Sequence, residues 1–243
     1  MLSYELQALQ EMKRWQRKMQ RKPSAINKLS KKTQDKLNSY IPEKIHKAIS
    51  GIIKQMVKGV LFGADFITGI SAYYETLEIK EAVIKEKISF YKKTAATEGG
   101  FTGAGGILLG LADFPMLLSL KLKMLFDIAS VYGYSAKDFK ERLFILNIFQ
   151  LAFSSHEHRR KVFMQMKDWN EQCRRLPEDI NQFDWRKFQQ EYRDYIDLAK
   201  LAQLIPIIGA FVGAIANYRL VNHLGETAIN AYRMRLQEDK LFG

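Results

Sequence analysis

The sequence predicts an all-α protein, and three observations carry that prediction. Apolar residues recur at three- and four-residue steps over long stretches, and Gly, Pro and capping residues punctuate those stretches. No run of β-branched residues alternates in polarity between turns, so no strand is needed. The fold expected is a multi-helix domain with a central glycine-rich, close-packed apolar helical hairpin and flanking amphipathic helices. With 243 residues, 47% of them aliphatic or aromatic, the chain can bury a large core.

In residues 2–20, Leu2, Leu6, Leu9, Met12, Trp15 and Met19 form one stripe, while Lys13, Arg14, Arg17, Lys18 and Arg21 lie largely off it. Pro23 ends this helix, residues 24–42 are polar and lysine-rich, and Pro42 opens the next element. From Glu43 onward Ile45, Ile49, Ile52, Met56 and Val60 keep the three-four step, with Lys44, Lys47, Lys54 and Lys58 opposite. Residues 1–42 therefore read as a basic amphipathic N-terminal helical region, and 43–243 as a single helical domain.

The segment 99–120 runs 22 residues with one charge, Asp113, and holds six glycines near its start. Its length is near the ~20 apolar residues that cross a bilayer. A carboxylate at the centre of a lone membrane helix costs roughly 2.5–3.5 kcal/mol, however. A hairpin hidden from water fits better than a span. Glycines four apart recur at Gly59/Gly63, Gly106/Gly110 and Gly209/Gly213, followed closely by Asp65, Asp113 and Asn217. Such pairs offer a bare ridge along which two backbones approach. Each helix-interior glycine costs about 1 kcal/mol relative to alanine, so close packing or lipid must compensate. Gly99, Gly103, Gly106, Gly110, Asp113, Gly209, Gly213 and Asn217 are the expected helix-packing or ligand-cavity residues.

Residues 116–132 are apolar nearly all round, as in a central helix, and Gly133 suits its C-terminal cap. Ser135 with Asp138 resembles a capping box for a helix over 136–153. A helix over 159–175 stops at Pro177. Asp184 caps another over 185–204, and after Pro206 a last helix spans roughly 207–236.

Residues 1–50 hold 12 Lys/Arg against 4 Asp/Glu, so +8 of the net +12 charge lies there. That asymmetry predicts an acidic partner: anionic lipid, nucleic acid or an acidic protein face. Trp15 and Tyr40 could stack on bases, yet no nucleic-acid module accompanies them, which makes nucleic acid the weaker reading. One cysteine, Cys173, excludes an intramolecular disulfide and suits a reducing compartment. No basic start runs directly into an apolar stretch, so no secretory signal is expected, and the expected location is cytoplasmic.

Chemistry-bearing motifs are few. Neither G-x-G-x-x-G nor G-x-x-x-x-G-K-[ST] is present, and no G-x-S-x-G elbow occurs. His156 and His158 are two apart, which points them about 200° apart on a helix and spoils a shared metal. Arg174 and Arg175 beside Cys173 would lower its thiol pKa, but no base partner is designated. Glu98, Asp113 and Asp127 are the carboxylates nearest the apolar segment, where burial would suit them to proton transfer. Against that, Asp113 reads as an N-cap for a helix starting near Phe114–Pro115. No cofactor and no metal are expected.

The run T-E-G-G-F-T-G-A-G-G-I-L-L-G-L-A-D-F-P-M-L-L-S-L-K-L-K-M-L-F-D-I-A-S-V-Y-G-Y, residues 97–134, resembles the signature of the bacterial EcsC protein family. I-P-I-I-G-A-F-V-G-A-I-A-N-Y, residues 205–218, resembles that family's C-terminal glycine segment. The resemblance extends over most of the chain, with the first 40 residues the least diagnostic. The family's name comes from genes beside those of an ABC-type transporter, which implies membrane-linked work and a transporter subunit as a partner. It transfers no catalytic residue.

The expected role is a non-enzymatic peripheral protein at the inner face of the cell membrane. Lys13, Arg14, Arg17 and Lys18 would meet anionic lipid, with Leu9, Met12 and Trp15 inserted shallowly. The glycine hairpin would hold a lipid-like ligand or dock on a transporter's membrane subunit. Two other readings use the same residues: an enzyme acting on a lipid-like substrate through Asp113 or Glu98, and a soluble helical scaffold that binds protein.

Overall fold

A computed structural model describes residues 3–21, 43–62, 74–103, 106–155, 158–197 and 210–241, and all of its regular structure is helical. The elements are α1 (Tyr4–Gln20), α2 (Glu43–Phe62), α3 (Leu77–Gly103), α4 (Gly106–Tyr132), α5 (Phe139–Phe153), α6 (Arg159–Lys167), α7 (Trp169–Arg175), a 3₁₀ turn (Ile180–Gln182), α8 (Trp185–Tyr195) and α9 (Ala210–Glu238). Among the described residues the nearest thing to a strand is one isolated bridge, Ser154 to Ile196.

Three long helices form the centre. α9 packs most extensively on α3, and α3 on α4. Both pairs are antiparallel: Lys92 meets Asn222 and Glu81 meets Arg233 across the first, while Tyr91 meets Asp127 across the second. α5, the most buried helix, lies against α9, α4 and α2, with Phe144, Ile145, Leu146, Ile148, Phe149 and Phe153 wholly inside. α1 joins this body by burying Ala8, Met12 and Met19 against α9, α6 and α3.

Local chemistry explains most boundaries. Ser3 caps α1 by accepting from Leu6 N. Gly133, at φ +97°, closes α4 in a left-handed turn, with Gly133 N donating to Ser130 O and Tyr134 N to Ala129 O. That pair of bonds is a Schellman cap, and the glycine was legible in the sequence for this reason.

Other expectations need correction. Asp138, not Ser135, caps α5 by accepting from Lys140 N, so the helix starts at Phe139 and the Ser135 hydroxyl serves a turn at Lys137. The helix expected over 159–175 breaks at Asp168, whose ψ of 60° leaves the helical region. Asp184 does cap α8, but that helix ends at Tyr195, where Ile196 extends to pair with Ser154. Asp113 is no cap: α4 begins at Gly106 and runs through Pro115. The proline lacks an N–H for the Leu111 carbonyl, a loss of one helical bond. The lysine-rich stretch 24–42 and Pro206 lie outside the described residues.

Candidate functional site

An open apolar groove of about 710 Å³ lies between α2 and α4. That volume is in the range of small-molecule sites. One wall is Ala48, Ile52, Gln55, Met56 and two glycines of α2; the other is Pro115, Leu118, Ser119 and Leu122 of α4. A Cβ on Gly51 or Gly59 would meet nothing within 4 Å, so these glycines widen the groove instead of seating a neighbouring backbone.

The sequence of α2 builds this arrangement through its turn. At 3.6 residues per turn, Ala48, Ile52, Gln55 and Gly59 project within roughly 60° of one another. Ile49, Ile53, Val57 and Val60, all buried, lie on one side of that sector. Lys44, Lys47, Lys54 and Lys58, all exposed, form a stripe centred about 95° away on the other side. Core, groove and lysines thus follow one another around a single helix. Across the groove, exposed Lys123 and Met116, the latter 57% accessible, continue the outer face of α4.

The residues singled out from the sequence fall in several places. Lys13, Arg14, Arg17 and Lys18 are exposed on α1, with Arg17 Nε donating to the Lys13 carbonyl at 3.3 Å. Trp15 is partly buried and meets the Phe163 ring edge-on at 5.6 Å, while Met12 is fully buried. Met12, Trp15 and Met19 of the expected stripe thus face the core with Leu9 packed beside them, whereas Leu6 is exposed. Asn217, fully buried on α9, accepts from Lys121 Nζ at 3.1 Å, and Lys121 also donates to the Leu117 carbonyl. That link ties α4 to α9 and is not part of the groove.

Gly99, Gly103, Gly106 and Gly110 lie within α3 and α4, and Gly213 within α9; the surroundings of these five and of the Glu98 side chain, and Gly209 altogether, are outside the described residues. Asp113 is partly buried inside α4. Asp127 lies fourteen residues further along the same helix, about 21 Å away, where it accepts from Tyr91 Oη at 2.7 Å and pairs with Lys87 at 3.7 Å.

Burial raises the Cys173 thiol pKa, with Arg235 and Lys140 only partly opposing it. Arg174 and Arg175 turn instead to Glu171, at 3.5 and 3.1 Å. The expected activation by those arginines is therefore absent. His158 stacks on Tyr195 at 4.9 Å and meets Ser155 Oγ through Nδ1. No group of His, Cys, Asp or Glu among the described residues is placed to hold a metal.

Sequence reasoning missed the buried charge network. Glu81, fully buried, accepts from Arg233 Nε and Nη2 at 2.7 and 2.6 Å, from Tyr4 Oη at 2.6 Å and from Tyr132 Oη at 3.2 Å. Helices α1, α3, α4 and α9 meet at this carboxylate. Burial opposes charge on Arg233, but Glu81 and Glu11 outweigh it and raise the guanidinium pKa. Glu141 forms a second knot with Arg235 and Tyr232 Oη; burial raises its pKa against both partners. Tyr132 and Tyr134, either side of Gly133, both stack on Tyr232, at 5.1 and 5.4 Å. The Tyr-Gly-Tyr motif is thus a structural clasp on α9.

The sequence profile of the EcsC protein family matches residues 6–236. The chain belongs to the EcsC protein family. It is 45% identical to Protein EcsC of Bacillus subtilis (strain 168) over 234 residues, 95% of each chain. It is 32% identical over 250 aligned positions to the uncharacterized protein YdbA of the same organism, covering 94% of this chain and 91% of that one. No solved structure matches. Among the described residues, no helix of this EcsC-family protein is long and apolar enough to cross a membrane.

Proposed function

We propose that this EcsC-family protein docks peripherally on anionic membrane surfaces through the α2–α4 face. The observation that supports this is the apolar groove bordered by the Lys44, Lys47, Lys54 and Lys58 stripe. An interfacial element needs an apolar sector beside a cationic one, and α2 has both. The exposed Lys13, Arg14, Arg17 and Lys18 of α1 add a second basic face.

Each near-surface lysine is worth about 1 kcal/mol on anionic lipid, roughly fivefold in affinity. Flotation with phosphatidylglycerol and phosphatidylcholine vesicles tests the reading. The wild type is expected to float with the anionic vesicles at low salt and to be released as salt rises, because exposed charges are screened over about 8–10 Å. Lys54→Glu/Lys58→Glu is expected to weaken binding at least tenfold. Equal flotation with both lipids, or undiminished binding by the charge-reversed variant, would contradict the proposal.

A further inference from the structure

We infer that the α2–α4 groove holds the chain of a single-chain anionic amphiphile, with its acidic head on the lysine stripe. The inference rests on the membrane-surface reading and adds a ligand site to it.

Three features point to this class. First, the lining is apolar over its whole length apart from Gln55 and Ser119, which suits a hydrocarbon and not a sugar or nucleotide. Second, the wall from Ala48 to Gly59 rises about 16 Å. A hydrocarbon core of about 30 Å has leaflets of half that thickness, so the α2 wall is as long as one acyl chain, and the facing wall from Pro115 to Leu122 rises about 10 Å of that length. Its two walls run side by side as a seam between helices, a shape that takes an extended hydrocarbon chain. Third, four exposed lysines, Lys44, Lys47, Lys54 and Lys58, are spread along the rise of the α2 wall. Lys123 stands on the outer face of the opposite helix. An anionic head placed at either end of the rim meets a lysine pair, Lys44 and Lys47 or Lys54 and Lys58.

The glycines give the site its depth. Gly51 and Gly59 carry no side chain where open space begins, and Leu118 and Leu122 form the opposite floor. A ring placed at either glycine would occupy the groove without displacing any atom within 4 Å of the new Cβ.

The test uses cis-parinaric acid, a conjugated fatty acid whose fluorescence rises in an apolar site, titrated below its micelle concentration in the absence of vesicles. The wild type is expected to enhance its emission saturably, and its uncharged methyl ester is expected to bind at least tenfold more weakly. Gly51→Phe and, as an independent variant, Gly59→Phe are expected to lose at least tenfold in affinity while keeping wild-type circular dichroism and cooperative melting. Lys54→Glu/Lys58→Glu is expected to weaken the acid about tenfold or more and to leave the ester unchanged. No saturable enhancement by the wild type would overturn the inference, as would undiminished binding in both folded phenylalanine variants. Equal affinity for acid and ester would remove the anionic head from it. Flotation on phosphatidylglycerol vesicles, measured on the same proteins, separates the two readings. A wild type that floats but binds no parinaric acid loses the chain site and keeps the membrane surface, whereas one that binds the acid but does not float loses the surface.

Discussion

Replacing Gly225 by alanine probes how closely α3 and α9 approach. A Cβ at Gly225 would fall 2.7 Å from Ile88 Cδ1, 2.9 Å from Cγ1 and 3.0 Å from Cγ2. Ile88 is only 6% exposed and is branched at Cβ, so one flexible end cannot simply swing aside. Overpacking of this kind costs about 1–3 kcal/mol, and alanine returns about 1 kcal/mol of helix propensity. The expected outcome is a net loss of up to about 2 kcal/mol. Gly51→Ala meets nothing within 4 Å and is expected to gain about 1 kcal/mol instead. In an Ile88→Ala background the three contacts vanish, and Gly225→Ala is then expected to stabilise by about the same propensity term. Urea unfolding followed by circular dichroism gives all four values and the coupling between positions 88 and 225. If Gly225→Ala alone is as stabilising as Gly51→Ala, the two helices do not touch as described.

Removing the cation from the Glu81 knot, with Arg233→Met, is expected to cost about 3–5 kcal/mol because a buried carboxylate is left without its counter-charge. Glu81→Gln/Arg233→Met is expected to recover part of the loss; a double variant worse than Arg233→Met would contradict the pairing. Because burial raises the Cys173 thiol pKa, less thiolate forms at a given pH than on a free cysteine. Labelling by a thiol reagent in the folded protein is expected to be slower than in urea, and a faster folded-state reaction would show that the expected arginine activation operates after all.

The helical elements were legible because their periodicity is local: Met12 and Met19 of the α1 stripe enter the core, and Gly133 and Asp184 cap where their types predict. Boundaries failed where a tertiary contact decided them. Ile196 leaves the helix to pair with Ser154, and Pro115 stays within α4 although its type argues for a start. Among the glycines whose surroundings are described, a close approach occurs at Gly225, which has no glycine four residues away and so gave no spacing signal. No local signal marks Glu81 or Arg233, since charged residues on long helices are ordinarily solvated and only the crossing of α1, α3, α4 and α9 encloses them. Of the groove, the sequence showed the lysines of α2 and their angle to its apolar stripe. It could not show that Ala48, Ile52 and Gly59 line an open seam, because that depends on where α4 stops approaching.

Contact between the groove and lipid chains can be measured directly. With Cys173→Ser as background, Gln55→Cys carries a bimane label in the groove, and Gln182→Cys carries one on the 3₁₀ turn before α8. On phosphatidylglycerol vesicles containing lipid spin-labelled in the acyl chain, bimane at position 55 is expected to be quenched strongly and bimane at position 182 to retain its emission. Salt that releases the protein from the vesicles is expected to restore the emission at position 55. Equal quenching at the two positions, or none at position 55 on protein shown to be vesicle-bound, would contradict docking through the α2–α4 face.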